Sequence, residues 1–284
     1  MIGSNDFRSG TVALRDGGHM PVIGFGTLIA DPATTVSATR DAIEAGYRHF
    51  DCAERYRNER EVGAALKSGL SARGIARDAI FVTTKLWNSN HRPERVGHAL
   101  DGSLERLGLD YLDLYLVHTP FAFQAGDEQD PRDANGNVFY DEGVTLLDTW
   151  HAMEELVDRG RCRAIGLSDI TLSELQPLYD SAKIKPAAIQ VESHPYLPET
   201  ELLAYCNQRG HRLHCVRAAR AWNQAGAARR SRHCAYCRAS GKNAGASAAR
   251  VGRAARHGGA HDAKNGGAST GEFRHFRASF RSLR

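Results

Sequence analysis

No stretch of this chain approaches the roughly eighteen consecutive apolar residues that a membrane-spanning helix needs, so a membrane protein is not expected. The polar opening MIGSNDFRSG lacks the apolar core of a secretory leader, and a cytoplasmic location is expected. Cysteine is sparse: the six (Cys52, Cys162, Cys206, Cys215, Cys234, Cys237) are scattered and read as free thiols. Only Cys234 and Cys237 stand at CxxC spacing, with no second CxxC or HxxxH to match. A zinc site drawn from His211, His214, Cys215, His233, Cys234 and Cys237 is disfavoured by the arginines around them, and no metal is expected. Also missing is the glycine-rich turn by which an open dinucleotide-binding sheet announces itself, for Gly24-Phe25-Gly26-Thr27 is too short for that fingerprint. From residue 211 onward isoleucine is absent, and Leu213, Val216, Val251 and Leu283 are the only aliphatics larger than alanine. No strand or amphipathic helix is expected in that segment.

What is present is a regular alternation. The 284 residues, 42% hydrophobic and 25% charged, are enough for one large domain or two small ones. Two short apolar runs around Asp16-Gly17-Gly18 predict a β-hairpin. After it, strand-like runs end near Phe25, Asp51, Lys85, His118, Ser168 and Glu192, with helical segments between them. Pro93 opens one helix that carries Val96, Leu100, Leu104 and Leu107 on one face; Leu146, Trp150, Met153 and Val157 mark another. Apolar strands alternating with amphipathic helices imply a parallel sheet covered by helices. With the nucleotide fingerprint missing, the favoured α/β architecture is a closed (β/α)8 TIM barrel with an N-terminal hairpin, its last two β/α units disrupted. The expected division is a barrel-like part over residues 1–210 and an Arg/Ala/Gly-rich tail over 211–284.

In such a barrel, catalytic side chains sit at the carboxyl ends of several strands. Asp51, Lys85 and His118 occupy that position in three successive strands, and Tyr56 follows the first of them. A phenol is a weak acid near neutral pH, and an ammonium beside it favours the phenolate. Lys85 is expected to supply that charge and lower the Tyr56 pKa, Asp51 to orient Lys85, and a neutral His118 to position a carbonyl oxygen. The chemistry this suits is proton donation to a carbonyl that is receiving a hydride.

The segment GYRHFDCA, then Glu59 and Val62-Gly63, resembles the first signature of the aldo-keto reductases. Lys85 in TKLW and His118 in LYLVHTP stand at that family's spacing, and MPVIGFGT, LLDTWHAMEELVDRGRCRAIGLS and QVESHPYL extend the resemblance from about residue 11 to 210. It implies NAD(P)H-dependent reduction of aldehydes or ketones by a monomer, with Asp51, Tyr56, Lys85 and His118 as the catalytic tetrad. It further implies a cofactor site of Thr27, Asp51, Ser168, Asp169 and Gln190, favouring NADP(H) over NAD(H). Trp87, His118 and Phe121 would line the substrate pocket, and Phe121 to Glu142 would form a substrate loop. Three positions depart from the pattern: Asp169 replaces an asparagine, Ile170 an aromatic, and Thr119 the tryptophan between His118 and Pro120. Cys52 and His194 read as packing residues.

Residues 211–284 hold fourteen Arg and two Lys against Asp262 and Glu272, a net of +14, whereas the whole chain carries only +4. Arginine, alanine and glycine in excess with few aliphatics is what a GC-rich gene yields when read out of frame. Read one base later, the degenerate codons from His211 permit IACTAFAPLGHG, those from Asn243 permit TPAQVLLAWAVQRG, and those around Ala263-Lys264 permit PKT. These resemble, in order, the family's seventh strand, its final helix and its phosphate-binding lysine. A one-base insertion near codon 211 is therefore expected, with the tail as printed disordered and the barrel unable to close. The alternative is a catalytically impaired remnant whose basic tail binds nucleic acid non-specifically, which the missing aromatic patterning disfavours.

Overall fold

The computed structural model describes residues 10–14, 18–194 and 197–209, together with the backbone course of 212–216. Strands β1 (Thr11–Ala13) and β2 (His19–Pro21) pair antiparallel, with Val12 opposite Met20. Leu14 N donates to Gly18 O at 2.8 Å across the turn, so the expected hairpin forms; residues 16 and 17 of its turn lie outside the described residues.

Seven further strands make one sheet: β3 (Phe25–Gly26), β4 (His49–Asp51), β5 (Phe81–Leu86), β6 (Leu112–Val117), β7 (Cys162–Ser168), β8 (Ala188–Glu192) and β9 (Arg212–Val216). They pair in chain order and all in parallel. Each parallel step is bridged by one helix: α1 (Pro32–Glu44), α2 (Glu59–Ala72), α3 (Pro93–Leu107), α4 (Leu146–Asp158), α5 (Leu172–Ser181) and α6 (Thr200–Arg209). Every residue of β5 and β6 is buried, as expected for strands covered on both faces. On α3, Val96, Leu100, Leu104 and Leu107 are all buried, the stripe their spacing predicts.

Local chemistry sets the helix ends. Asp31 caps α1 by accepting from Thr34 N at 2.7 Å, with Pro32 in the first turn. Thr145 with Asp148, and Thr171 with Glu174, form capping boxes on α4 and α5. Gly108 ends α3 at φ 66°, a left-handed stop that glycine adopts without strain. Two other glycines permit close approach. A Cβ on Gly63 of α2 would lie 2.7 Å from Leu107 Cα, and one on Gly166 of β7 would lie 2.7 Å from Leu116 Cδ2.

Strand β9 corrects the expectation that no strand forms beyond residue 210. Its backbone pairs with β8 from Ala188↔Arg212 to Glu192↔Val216. The run RLHCV alternates Leu213 and Cys215 with Arg212 and His214, a period-two pattern that the arginine-rich composition of the whole tail conceals. The open edge of β8 supplies the rest, because its backbone groups need partners. The expectations for 217–284 fall outside the described residues.

Among the described residues no helix is long and apolar enough to cross a membrane, and no three His, Cys, Asp or Glu gather as metal ligands.

Candidate active site

Asp51 is the last residue of β4, Lys85 lies in β5, and His118 follows β6 directly, so three neighbouring strands deliver them to one end of the sheet. Tyr56 closes a 3-10 turn, Glu54–Tyr56, that returns the chain over that end; Arg57 follows at φ 58°. The Lys85 ammonium, 1% exposed, donates to Asp51 Oδ1 at 2.7 Å, to Cys52 O at 2.8 Å and to Tyr56 Oη at 3.4 Å. All three of its N–H bonds are thereby directed. Gln190 Nε2, from β8, donates to Asp51 Oδ2 at 3.2 Å. Three strands separate β4 from β8 in the sheet, so this contact requires the sheet to curl toward a barrel. The His118 ring meets Tyr56 edge-on at 5.9 Å between centroids and Trp87 at 5.0 Å. Its Nδ1 is buried without a hydrogen-bond partner.

Burial disfavours charge on Lys85, but Asp51 and Tyr56 outweigh it and hold the side chain as an ammonium, its pKa raised. At Tyr56 the balance differs from the expected one. Burial pushes the phenol pKa up, Lys85 pulls it down, and the Asp51 carboxylate opposes Lys85, leaving the value raised. The expectation of a lysine-lowered phenol is thus corrected: Lys85 does pull the value down, but desolvation, with Asp51 opposing the ammonium, decides the sign. His118 is pushed well below the ordinary imidazole range, first by burial and then by Lys85, and stays neutral. The site therefore presents a protonated phenol and a neutral imidazole side by side, a pair able to donate a proton and orient an oxygen.

The residues read as cofactor contacts lie at the same end. Thr27 Oγ1 donates to Asp51 O at 3.0 Å, while Asn58 Nδ2 donates to Thr27 O at 2.7 Å. Ser168 ends β7 and is buried. Asp169 takes φ 52°, its N–H donating to Gln190 O at 2.8 Å. Asparagine and aspartate both tolerate this left-handed geometry, so the backbone accepts either residue here. A serine hydroxyl beside a glutamine amide offers both donor and acceptor, the set that an amide such as a carboxamide requires. Ser193, just beyond β8, adds a buried hydroxyl without a partner that sequence reasoning did not single out.

Trp87, 5% exposed, packs against Phe123 at 5.8 Å; Phe121 touches Phe123 and Tyr140 at 5.8 and 5.9 Å. Phe121 is thus linked to Trp87 through Phe123. Thr119 Oγ1 donates to Asn88 Oδ1 at 2.8 Å, so the residue that departs from the family pattern is bonded across two strand ends. Cys52 is wholly buried, with burial raising its thiol pKa, and His194 Nε2 lies 3.4 Å from Glu192 Oε1. Glu54 was missed. Its carboxylate accepts from Trp87 N at 3.2 Å and Asn90 Nδ2 at 2.9 Å, and burial raises its pKa. No sequence signal marks it, since its partners at Trp87 and Asn90 lie more than thirty positions away.

The aldo/keto reductase family model matches residues 22–220. Aldo-keto reductase family 1 member A1 of Mus musculus is 45% identical over 201 residues, covering 70% of this chain and 62% of the relative. Member A1-A of Danio rerio is 47% identical over 200 residues, covering 70% and 61%. The chain therefore matches less than two thirds of the length of these relatives. Among solved structures, the aldose reductase of Schistosoma japonicum superposes with a TM-score of 0.71 at 40% identity, covering 72% of this chain and 68% of that one.

Proposed function

Because the chain belongs to the aldo/keto reductase family, we propose that it reduces aldehydes or ketones to alcohols with a nicotinamide cofactor, NADP(H) rather than NAD(H). The observation that carries the reading is the convergence of the Lys85 ammonium on Asp51, Cys52 O and the Tyr56 hydroxyl beside a buried, neutral His118. When bound, the cofactor supplies a hydride to the carbonyl carbon. Ser168, Asp169 and Gln190 would hold its carboxamide, and Thr27 and Asp51 would complete the cofactor site. Trp87 and Phe121 wall off the apolar part of the substrate and exclude water. His118 donates to the carbonyl oxygen and sets its direction. As negative charge grows on that oxygen, the Tyr56 O–H transfers its proton to it, and Lys85 stabilises the phenolate left behind. Asp51 keeps Lys85 charged and fixed in place throughout.

For the cofactor's phosphate we propose a one-base insertion near codon 211: read one base later, the degenerate codons permit segments that resemble the family's last two β/α units and its phosphate-binding lysine, and the restored frame would complete the barrel. The reaction is tested by offering 4-deuterated NADPH and benzaldehyde to the restored-frame protein. Deuterium at the carbinol carbon is the expected result; alcohol without label, or no alcohol, would overturn the proposal.

A further inference from the structure

Two neighbouring loop residues, Gln129 and Asp130, hold the turn that carries Tyr56. Asp130 Oδ2 lies 2.6 Å from Arg55 Nη2, and Gln129 Oε1 accepts from Arg57 Nε at 2.6 Å. Gln129 Nε2 donates to Glu54 O at 3.3 Å. Gln129 O accepts the indole N–H of Trp87 at 2.7 Å. The Arg55 guanidinium stands 5.3 Å from the centre of the Trp87 ring, whose own centre is 5.0 Å from that of His118. The indole is thus fixed on three sides: its N–H by the loop, one face by Arg55, an edge by His118.

None of the groups in this clasp exchanges a proton or touches the reacting oxygen, yet together they set where the pocket's aromatic wall stands. We propose that Arg55 and Asp130, with Gln129, are positioning residues that determine specificity: they hold the 121–142 loop down on Trp87, and so favour carbonyls carrying a flat apolar group. This deepens the reductase reading and rests on it for its kinetic consequence. The physical reason is geometric. A half-buried ion pair at 31% and 21% side-chain exposure contributes little by itself. Coupled to a buried indole N–H that must find an acceptor, it selects one loop position over others.

The test uses the full chain with Arg55→Glu, Asp130→Arg and the double exchange, which reverses the pair while keeping it. Arg132 is the only Lys or Arg between residues 121 and 142, so tryptic cleavage after it reports the loop directly, without activity. Each single variant is expected to be cut about tenfold faster there, at an unchanged global melting temperature, and the exchange to return the rate to that of the parent. In parallel, the ratio of kcat/KM for benzaldehyde over acetaldehyde is expected to fall about tenfold in each single variant and to recover in part in the exchange, which restores the ion pair but not the guanidinium over the Trp87 ring. Single variants cut at the parent rate, or an exchange no better than the singles, would overturn the clasp. If the parent turns over neither aldehyde while cleavage behaves as expected, the reductase reading fails and the clasp stands as a structural device alone; a cleavage failure with active parent sinks the clasp and leaves the reductase.

Discussion

A buried histidine that cannot charge ties stability to pH. His91 follows the Asn88–Asn90 turn, is 2% exposed, and has its pKa lowered to about 3 by burial. Between about 3 and the ordinary 6.5, the unfolded chain binds a proton at this residue and the folded chain does not. Stability from the neutral imidazole is thus complete above 6.5 and is lost as pH falls. Urea unfolding of the parent and of His91→Leu should show their stability difference shrinking by about 1.4 kcal/mol per pH unit between pH 6 and 4. A difference that stays level over that range would show that His91 charges without penalty. His118 obeys the same sign with respect to its function. Its imidazole remains neutral as pH falls through 6.5, so binding of a carbonyl oxygen to it is expected to persist into mildly acidic solution.

Between elements, glycine decides how closely helices and strands approach. Gly63 stands in the Val62-Gly63 pair of the sequence signature, and its role is packing: α2 rests there on the backbone at the end of α3. Backbone cannot yield as a side-chain tip can, so Gly63→Ala should cost about 1–3 kcal/mol in thermal or denaturant unfolding. A neutral effect would mean that α2 shifts freely. The elements themselves were legible where one physical rule governed: β5 and β6 are continuous apolar runs because both faces are covered, and α3 shows its stripe. The meeting of Asp51, Tyr56, Lys85 and His118 at one end of the sheet was legible because strand ends fall at a fixed place in a parallel β/α fold. Three things were not. The Tyr56 pKa depends on the sum of burial, Lys85 and Asp51, a balance that no spacing encodes. The Gln129–Asp130 clasp joins residues more than seventy positions apart in a loop without periodicity. Strand β9 was concealed for a third reason: five alternating residues sat inside a segment judged by its composition.

For the molecule as a whole, the central question is the reading frame after residue 210. The described chain ends on β9, parallel to β8, while the family model extends to residue 220. The printed continuation carries a net of +14. Intact mass of protein expressed from the native gene distinguishes the two readings. The account expects the mass of the shifted frame and, for that protein, NADPH affinity at least tenfold above that of the printed chain, since each lost phosphate contact weakens binding by about 1.5–3 kcal/mol. A mass equal to 31.1 kDa together with tight NADPH binding would refute the inserted base.

The measurement that bears most directly on the chemistry is the rate of aldehyde-dependent NADPH oxidation by the restored-frame protein and by its Tyr56→Phe variant at saturating cofactor. Removing one oxygen leaves the ring against His118 and the lysine on Asp51 and Cys52 O, so the fold and the pocket persist. The predicted result is a fall of about 10²–10⁴ in turnover with NADPH affinity unchanged. A variant as fast as its parent, or a parent that oxidises no NADPH, would contradict the assignment of Tyr56 as the proton donor.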